Sequence, residues 1–148
     1  MNTPGSGFHG AKAAILIGDR LLITLRDDLS HITHPNQWDL PGGGREGDET
    51  PRETLAREVR EEVSLDLGGA EWLWEAEFPS GTHPGRRSWF FVLRLPAAAE
   101  AQVRLGDEGQ AWRLVPPHEY LLMPDAVPFL QHRLRVGLSA LASEGALP

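Results

Sequence analysis

The stretch "GGGREGDETPRETLAREVREEVSL", Gly42 to Leu65, sets three consecutive glycines ahead of a run dominated by charge. Thr50, Pro51 and Glu53 open that run as a helix. The Thr50 hydroxyl caps the first turn, Glu53 reaches back from three residues on, and Pro51 fills the first helical position without losing a bond. At ~100° per residue, Glu58, Glu61 and Glu62 then share an arc of roughly 100°. Leu55, Ala56, Val59 and Val63 fall on the adjacent arc, so one side of the helix is buried and holds the acidic side in place. Like charges three and four apart cost about 0.2–0.5 kcal/mol per pair, so the cluster calls for a counter-charge. Arg57, four residues before Glu61, supplies part of it, and by composition alone a solvated, salt-bridged face is the competing reading.

Carboxylates converging from one helix are hard oxygen ligands of the kind Mg²⁺ or Mn²⁺ prefers, with phosphate as the natural co-ligand. A glycine-rich turn beside them lets backbone approach a metal or a phosphate with no Cβ in the way. No Gly-Lys-Ser/Thr follows the glycines, which excludes a P-loop.

The rest of the chain frames this segment. Its 148 residues are 41% hydrophobic, which suits one domain over residues 1–148 with a mobile lead-in from Met1 to Gly10. No run of about 18 apolar residues occurs, and the N-terminus lacks the order of a secretory signal, so a soluble, cytoplasmic protein with no membrane partner is expected. The absence of cysteine excludes disulfides, thiolate catalysis and cysteine-type zinc sites. A formal net charge of −7 argues against a duplex nucleic acid partner but not against small anions held through a metal.

Two apolar runs around Gly18-Asp19-Arg20 read as a hairpin, and Gln37 to Leu40 as a short strand running into the glycines. Glu71 to Phe78, Arg87 to Leu95 and "AWRLV" before Pro116 and Pro117 read as further strands. Leu130, Leu134, Leu138 and Leu141 place an amphipathic helix at the end. The sum is an α/β (α+β) fold, a mixed sheet with two helices flanking it. Trp38, Trp89 and Trp112 read as core rather than as base-stacking residues.

From Gly43 the spacing runs glycine, five residues, Glu49, seven residues, Arg57-Glu58, apolar Val59, one residue, Glu61-Glu62, one residue, Ser64, apolar Leu65. This 23-residue frame resembles the Nudix box at every specified position except Ser64, where the family has glycine. "WDLPGG" before it, "SWFFVLRL" and "DEGQAW" extend the resemblance to the family's MutT-like, oxidised-nucleotide-cleaning branch over Lys12 to Tyr120.

The resemblance implies a mixed β-sheet sandwiched between α-helices and a divalent-metal-dependent pyrophosphohydrolase. Its substrate would be a nucleoside diphosphate linked to another group, a nucleoside triphosphate or modified nucleotide before ADP-ribose or a diphosphate sugar. It implies Glu58 and Glu62 as metal ligands, Glu61 as a ligand or close support, and a backbone carbonyl of Gly42 or Gly43 toward the metal. Arg57 would orient the carboxylates, and Glu49 would hold the loop through hydrogen bonds or a pair with Arg57. Glu108 would be a further ligand or a general base, a role for which Glu58 is the other candidate. Mg²⁺ is the implied cofactor, with Mn²⁺ possible. A nucleotide-binding regulator without appreciable turnover is the alternative of another class, and the oligomeric state stays open.

Overall fold

The computed structural model describes residues 7–145. Strand β1 (Phe8–Ile17), apolar on both faces, is central to a seven-stranded mixed sheet. β6 (Arg87–Leu95) runs parallel to it from Phe8 to Ile17, and β5 (Glu71–Pro79) pairs antiparallel with β6. On the other side, Gly18 (φ 65°) and Asp19 turn the chain into β2 (Arg20–Leu25), which meets β1 only at Leu16 and Ile17. The two strands then part. β3 (Trp38–Asp39) pairs with β2, and β4 (Gly42–Gly44) pairs with Gly10 to Lys12 of β1. β7 (Ala111–Val115) closes the far edge of β2.

Alternate side chains of β1 and β6 enter two cores, as the pleat requires. Ala11, Ala13, Ile15, Ile17, Phe91 and Leu93 pack under Leu55, Val59 and Val63 of α1 (Pro51–Val63). Ala14, Leu16, Phe90 and Val92 pack with Tyr120 of α2 (Pro117–Leu122) and with Leu130, Leu134 and Leu141 of α3 (Pro128–Ser143). A mixed sheet between helices results, the architecture expected. Each large side chain fully buried in these cores is worth about 1.5–3 kcal/mol. Trp38 lies in the α3-side core, while Trp89 and Trp112 pack against the α1-side core.

Some expectations need correcting. The lead-in is shorter than Met1–Gly10, because Phe8 to Gly10 already form β1; Met1 to Ser6 lie outside the described residues. The short strand covers Trp38 and Asp39 alone rather than Gln37 to Leu40. The glycines form a strand, not a turn, since β4 has a free stretch of β1 to pair with. Pro116 and Pro117 start a helix of their own, with Pro117 at a first-turn position where no N–H is needed, so among the described residues three α-helices stand where two were expected. No helix among the described residues is long and apolar enough to cross a membrane.

Candidate active site

The capping box foreseen for α1 is present. The Glu53 N–H donates to Thr50 Oγ1 at 3.2 Å, and the Thr50 N–H donates to Glu53 Oε1 at 2.8 Å. At the other end Ser64 sits in the left-handed region (φ 64°, ψ 23°), its N–H bonded to the Arg60 carbonyl, so a side chain stands where glycine is favoured.

Arg57 is the hub of the helix's polar side. Its Nε and Nη2 donate to the two oxygens of Glu49 at 2.7 and 3.1 Å, and Nη2 also donates to the Gly44 carbonyl at 2.7 Å. Nη1 donates to Glu58 Oε1 at 3.1 Å and Glu61 Oε1 at 3.0 Å. Glu49 further accepts from the Glu46 N–H at 2.9 Å and the Thr54 hydroxyl at 3.1 Å, so in the structure it both ties the loop and pairs with Arg57. Those bonds from Arg57 hold the Glu49 carboxyl down at about 2, and the same contact raises the arginine.

β4 stands directly against these carboxylates. A Cβ on Gly42 (φ 136°) would overlap Ala11 O and Lys12 Cα, so that position admits no side chain, and one on Gly43 would overlap the Glu58 carboxyl group and displace it. The Gly42 N–H donates to Glu62 Oε1 at 2.7 Å. Burial raises the Glu58 carboxyl against the opposing pull of Arg57. Glu62 is pushed up to about 7, again first by burial, against the Lys12 charge and the Gly42 N–H.

Glu108 reaches the site on the loop before β7, where it is exposed. That loop is sewn to the end of α1, the Arg104 and Gly106 N–H groups donating to the carbonyls of Val63 and Glu62 at 3.0 and 2.9 Å. Gly42, Gly43, Glu58, Glu61, Glu62 and Glu108 thus line one cleft of about 830 Å³.

Lys12 and Arg26 line the same cleft and escaped the reading of the sequence. Lys12 Nζ donates to both oxygens of Asp39 at 3.0 Å and to the Leu40 carbonyl at 3.1 Å, which uses all three of its protons. Arg26 Nη1 donates to the same Asp39 at 2.9 Å. The available signal was a single lysine in the apolar run "AKAAILI" and an aspartate in the buried "WDL".

The donor set fits a hard divalent cation. Its candidate ligands are carboxylate oxygens, and two of the carboxyls are pushed up by burial that a cation would offset. Among the described residues no three carboxylates or imidazoles are gathered into a metal cage; Arg57 bonds Glu58 and Glu61, and the Gly42 N–H bonds Glu62.

The sequence profile of the NUDIX domain matches residues 7–135. The nucleoside triphosphatase NudI of Escherichia coli is 31% identical over 109 residues, 69% of this chain and 76% of that protein. Among solved structures, the MutT protein of Methanosarcina mazei superposes with a TM-score of 0.70 at 22% identity, covering 88% of this chain and 92% of that one. The Ap4A hydrolase of C. elegans gives 0.71 at 17% identity, over 90% and 98%. With the box intact from Gly43 to Glu62 and the profile covering most of the chain, this protein belongs to the Nudix hydrolases.

Proposed function

We propose that the chain, acting as one domain, is a divalent-cation-dependent pyrophosphohydrolase of nucleoside diphosphates linked to another group, with nucleoside triphosphates as the first class of substrate. The observation that carries this reading is a rigid helix presenting Glu58 and Glu62 against the side-chain-free backbone of β4, on a cleft whose other lining includes Lys12 and Arg26. That NudI is a nucleoside triphosphatase favours the same class.

Glu58 and Glu62, with Glu61 and Glu108 in support, would hold Mg²⁺, or Mn²⁺, beside the diphosphate; such an ion supplies charge neutralisation and a more acidic water. Water attacks one phosphorus, the bridging P–O bond breaks, and a triphosphate leaves as nucleoside monophosphate and pyrophosphate. Glu58 or Glu108 accepts the proton of the attacking water. Arg57 fixes the carboxylates through its bonds to Glu49, Glu58 and Glu61. Arg26, with N–H groups left over after Asp39 and Thr33, meets phosphate oxygens directly. Lys12, its protons all taken, acts as a fixed positive charge.

The test is a panel of nucleoside triphosphates, oxidised nucleotides, ADP-ribose and diphosphate sugars with Mg²⁺, read as release of nucleoside monophosphate, the product common to all of them. Triphosphates should turn over, and Glu58→Gln or Glu62→Gln should lower kcat by about 10²–10⁴. Equal turnover by wild type and both variants discards the site. Metal-strengthened binding without turnover makes the protein a regulator, and turnover confined to ADP-ribose or sugars moves it to another substrate class.

A further inference from the structure

The part of the cleft lined by β6 and α3 holds two buried polar groups that the folded chain leaves largely unused. Arg133 projects from the second turn of α3 and is 3% exposed, yet it lines the cleft. Its Nη2 donates to the Pro79 carbonyl at 2.9 Å, and its guanidinium carbon lies 5.3 Å from the centre of the Phe78 ring and 4.8 Å from that of Phe129. The two rings fix the fork's orientation. No carboxylate among the described residues pairs with it. Burial lowers it only to about 10, so it stays charged at neutral pH. Of its five N–H donors, one is used.

Ser88 of β6 is 7% exposed, lines the same cleft, and its hydroxyl has no hydrogen-bond partner among the described residues. The pleat puts it on the face of β6 that carries Phe90 and Val92, the face toward α3. Its neighbour across β1 is Gly10, which adds no side chain over it. A buried cation with most of its N–H groups unpaired and a buried hydroxyl without a partner, both opening on one cavity, form a site that a ligand would complete.

We infer that Arg133 and Ser88 form the subsite that recognises the base of the substrate, and that it selects a 6-oxopurine, guanine or hypoxanthine, over adenine. This rests on the pyrophosphohydrolase reading, which puts the diphosphate beside α1 and leaves the part lined by β6 and α3 for the nucleoside. A guanidinium only donates, so its complement is a planar edge with two adjacent acceptors. The N7 and O6 atoms of a 6-oxopurine are such an edge, whereas adenine sets an amino donor beside N7. Adenine would leave the buried fork facing a donor, and such mismatches are what polar pockets reject most strongly. A second phosphate group would also satisfy a guanidinium, and a charge-conserving substitution separates the two, because lysine keeps the charge and loses the fork.

Binding of GMP, IMP and AMP to the whole protein by calorimetry tests the assignment without turnover, since none of the three has an anhydride bond. Wild type should bind GMP and IMP about tenfold or more tightly than AMP. Arg133→Lys and Ser88→Ala should each shrink that ratio, Arg133→Lys to within about threefold. Ser88→Ala removes an unpartnered buried hydroxyl and should keep the wild-type melting temperature, so its effect on the ratio cannot be ascribed to misfolding. Equal binding of AMP and GMP by wild type overturns the inference, as does failure of all three to bind. So does a ratio that survives Arg133→Lys, which would mark an anion site instead. Selective GMP binding by a protein that hydrolyses no member of the substrate panel would overturn the pyrophosphohydrolase reading alone. Hydrolysis of GTP and ATP with equal kcat/KM, with GMP and AMP bound equally, would overturn this inference alone.

Discussion

Helices α1 and α3 both line the cleft, pack on opposite faces of the sheet and are held by different means. α1 carries its own ends, a reciprocal capping box at Thr50 and Glu53 and a left-handed stop at Ser64, and Arg57 ties its polar side to the loop before it. α3 has no side-chain cap; Val127 at its N-cap position is 1% exposed, and the helix start is held by packing and by the Val127 N–H bond to the Trp38 carbonyl at 3.0 Å. The helix that must hold carboxylates within fractions of an ångström is locally specified. The helix assigned to base selection is placed by the tertiary core, where its position can shift with repacking.

The sharpest way to break the contrast is at the α1–β4 contact. Gly43→Ala drives a methyl into the Glu58 carboxyl group, while a Cβ on the neighbouring Gly44 meets nothing within 4 Å. Displacing a catalytic group by about 1 Å can cost about 10²-fold, so Gly43→Ala should lower kcat by that order. Gly44→Ala should stay within about 0.5 kcal/mol of wild-type stability. Steady-state kinetics and melting of the pair decide it; matching losses would mean that the glycines serve loop freedom rather than close approach.

The two N-termini give the next comparison. Val127→Ala removes two methyl groups from the α3-side core and should cost about 2 kcal/mol, near 0.8 kcal/mol for each carbon plus a cavity term. Thr50→Ala loses only a cap and should cost about 1 kcal/mol, with Thr50→Ser close to wild type. Denaturant unfolding checks both. A Thr50→Ala cost above that of Val127→Ala would reverse the division drawn between the helices.

Glu49 extends this to pH. Its carboxyl lies at about 2 rather than at its ordinary 4.5, so its bonds to Arg57 stabilise the fold above about 4.5 and that contribution is lost as pH falls toward 2. The stability gap between wild type and Glu49→Gln should therefore be largest near neutrality and close across that acid window. A gap that is constant down to pH 2 would mean that the Glu49–Arg57 pair does not hold the loop.

The same division explains what could be read from the sequence. α1 was legible to the residue, because caps, proline and the apolar arc are all local signals, and the strands of the central sheet followed from alternation and composition. The frame from Gly43 to Glu62 singles out Glu58, Glu61 and Glu62, which the fold brings to one cleft. Lys12, Arg26, Ser88 and Arg133 were not legible, because each matters only through partners far along the chain: Asp39 for the first two, Gly10 beside Ser88, and Pro79 and Phe78 beside Arg133. β4 was missed for the same reason, since three glycines carry no strand signal until β1 offers them an edge.

Ser64 is the smallest lever and the most local. At φ 64° a side chain costs about 1 kcal/mol relative to glycine, and glycine returns part of that through the greater freedom of the unfolded chain. The hydroxyl recovers little, since its one bond, to the Arg104 carbonyl, is long at 3.4 Å. Ser64→Gly should therefore raise stability by about 0.5 kcal/mol, the left-handed penalty outweighing the entropy term. Because Arg104 is also held by its own N–H to the Val63 carbonyl, the loop that carries Glu108 should keep its place and kcat should not change. A fall in melting temperature would show that the serine hydroxyl, and not the backbone, ties the end of α1 to that loop.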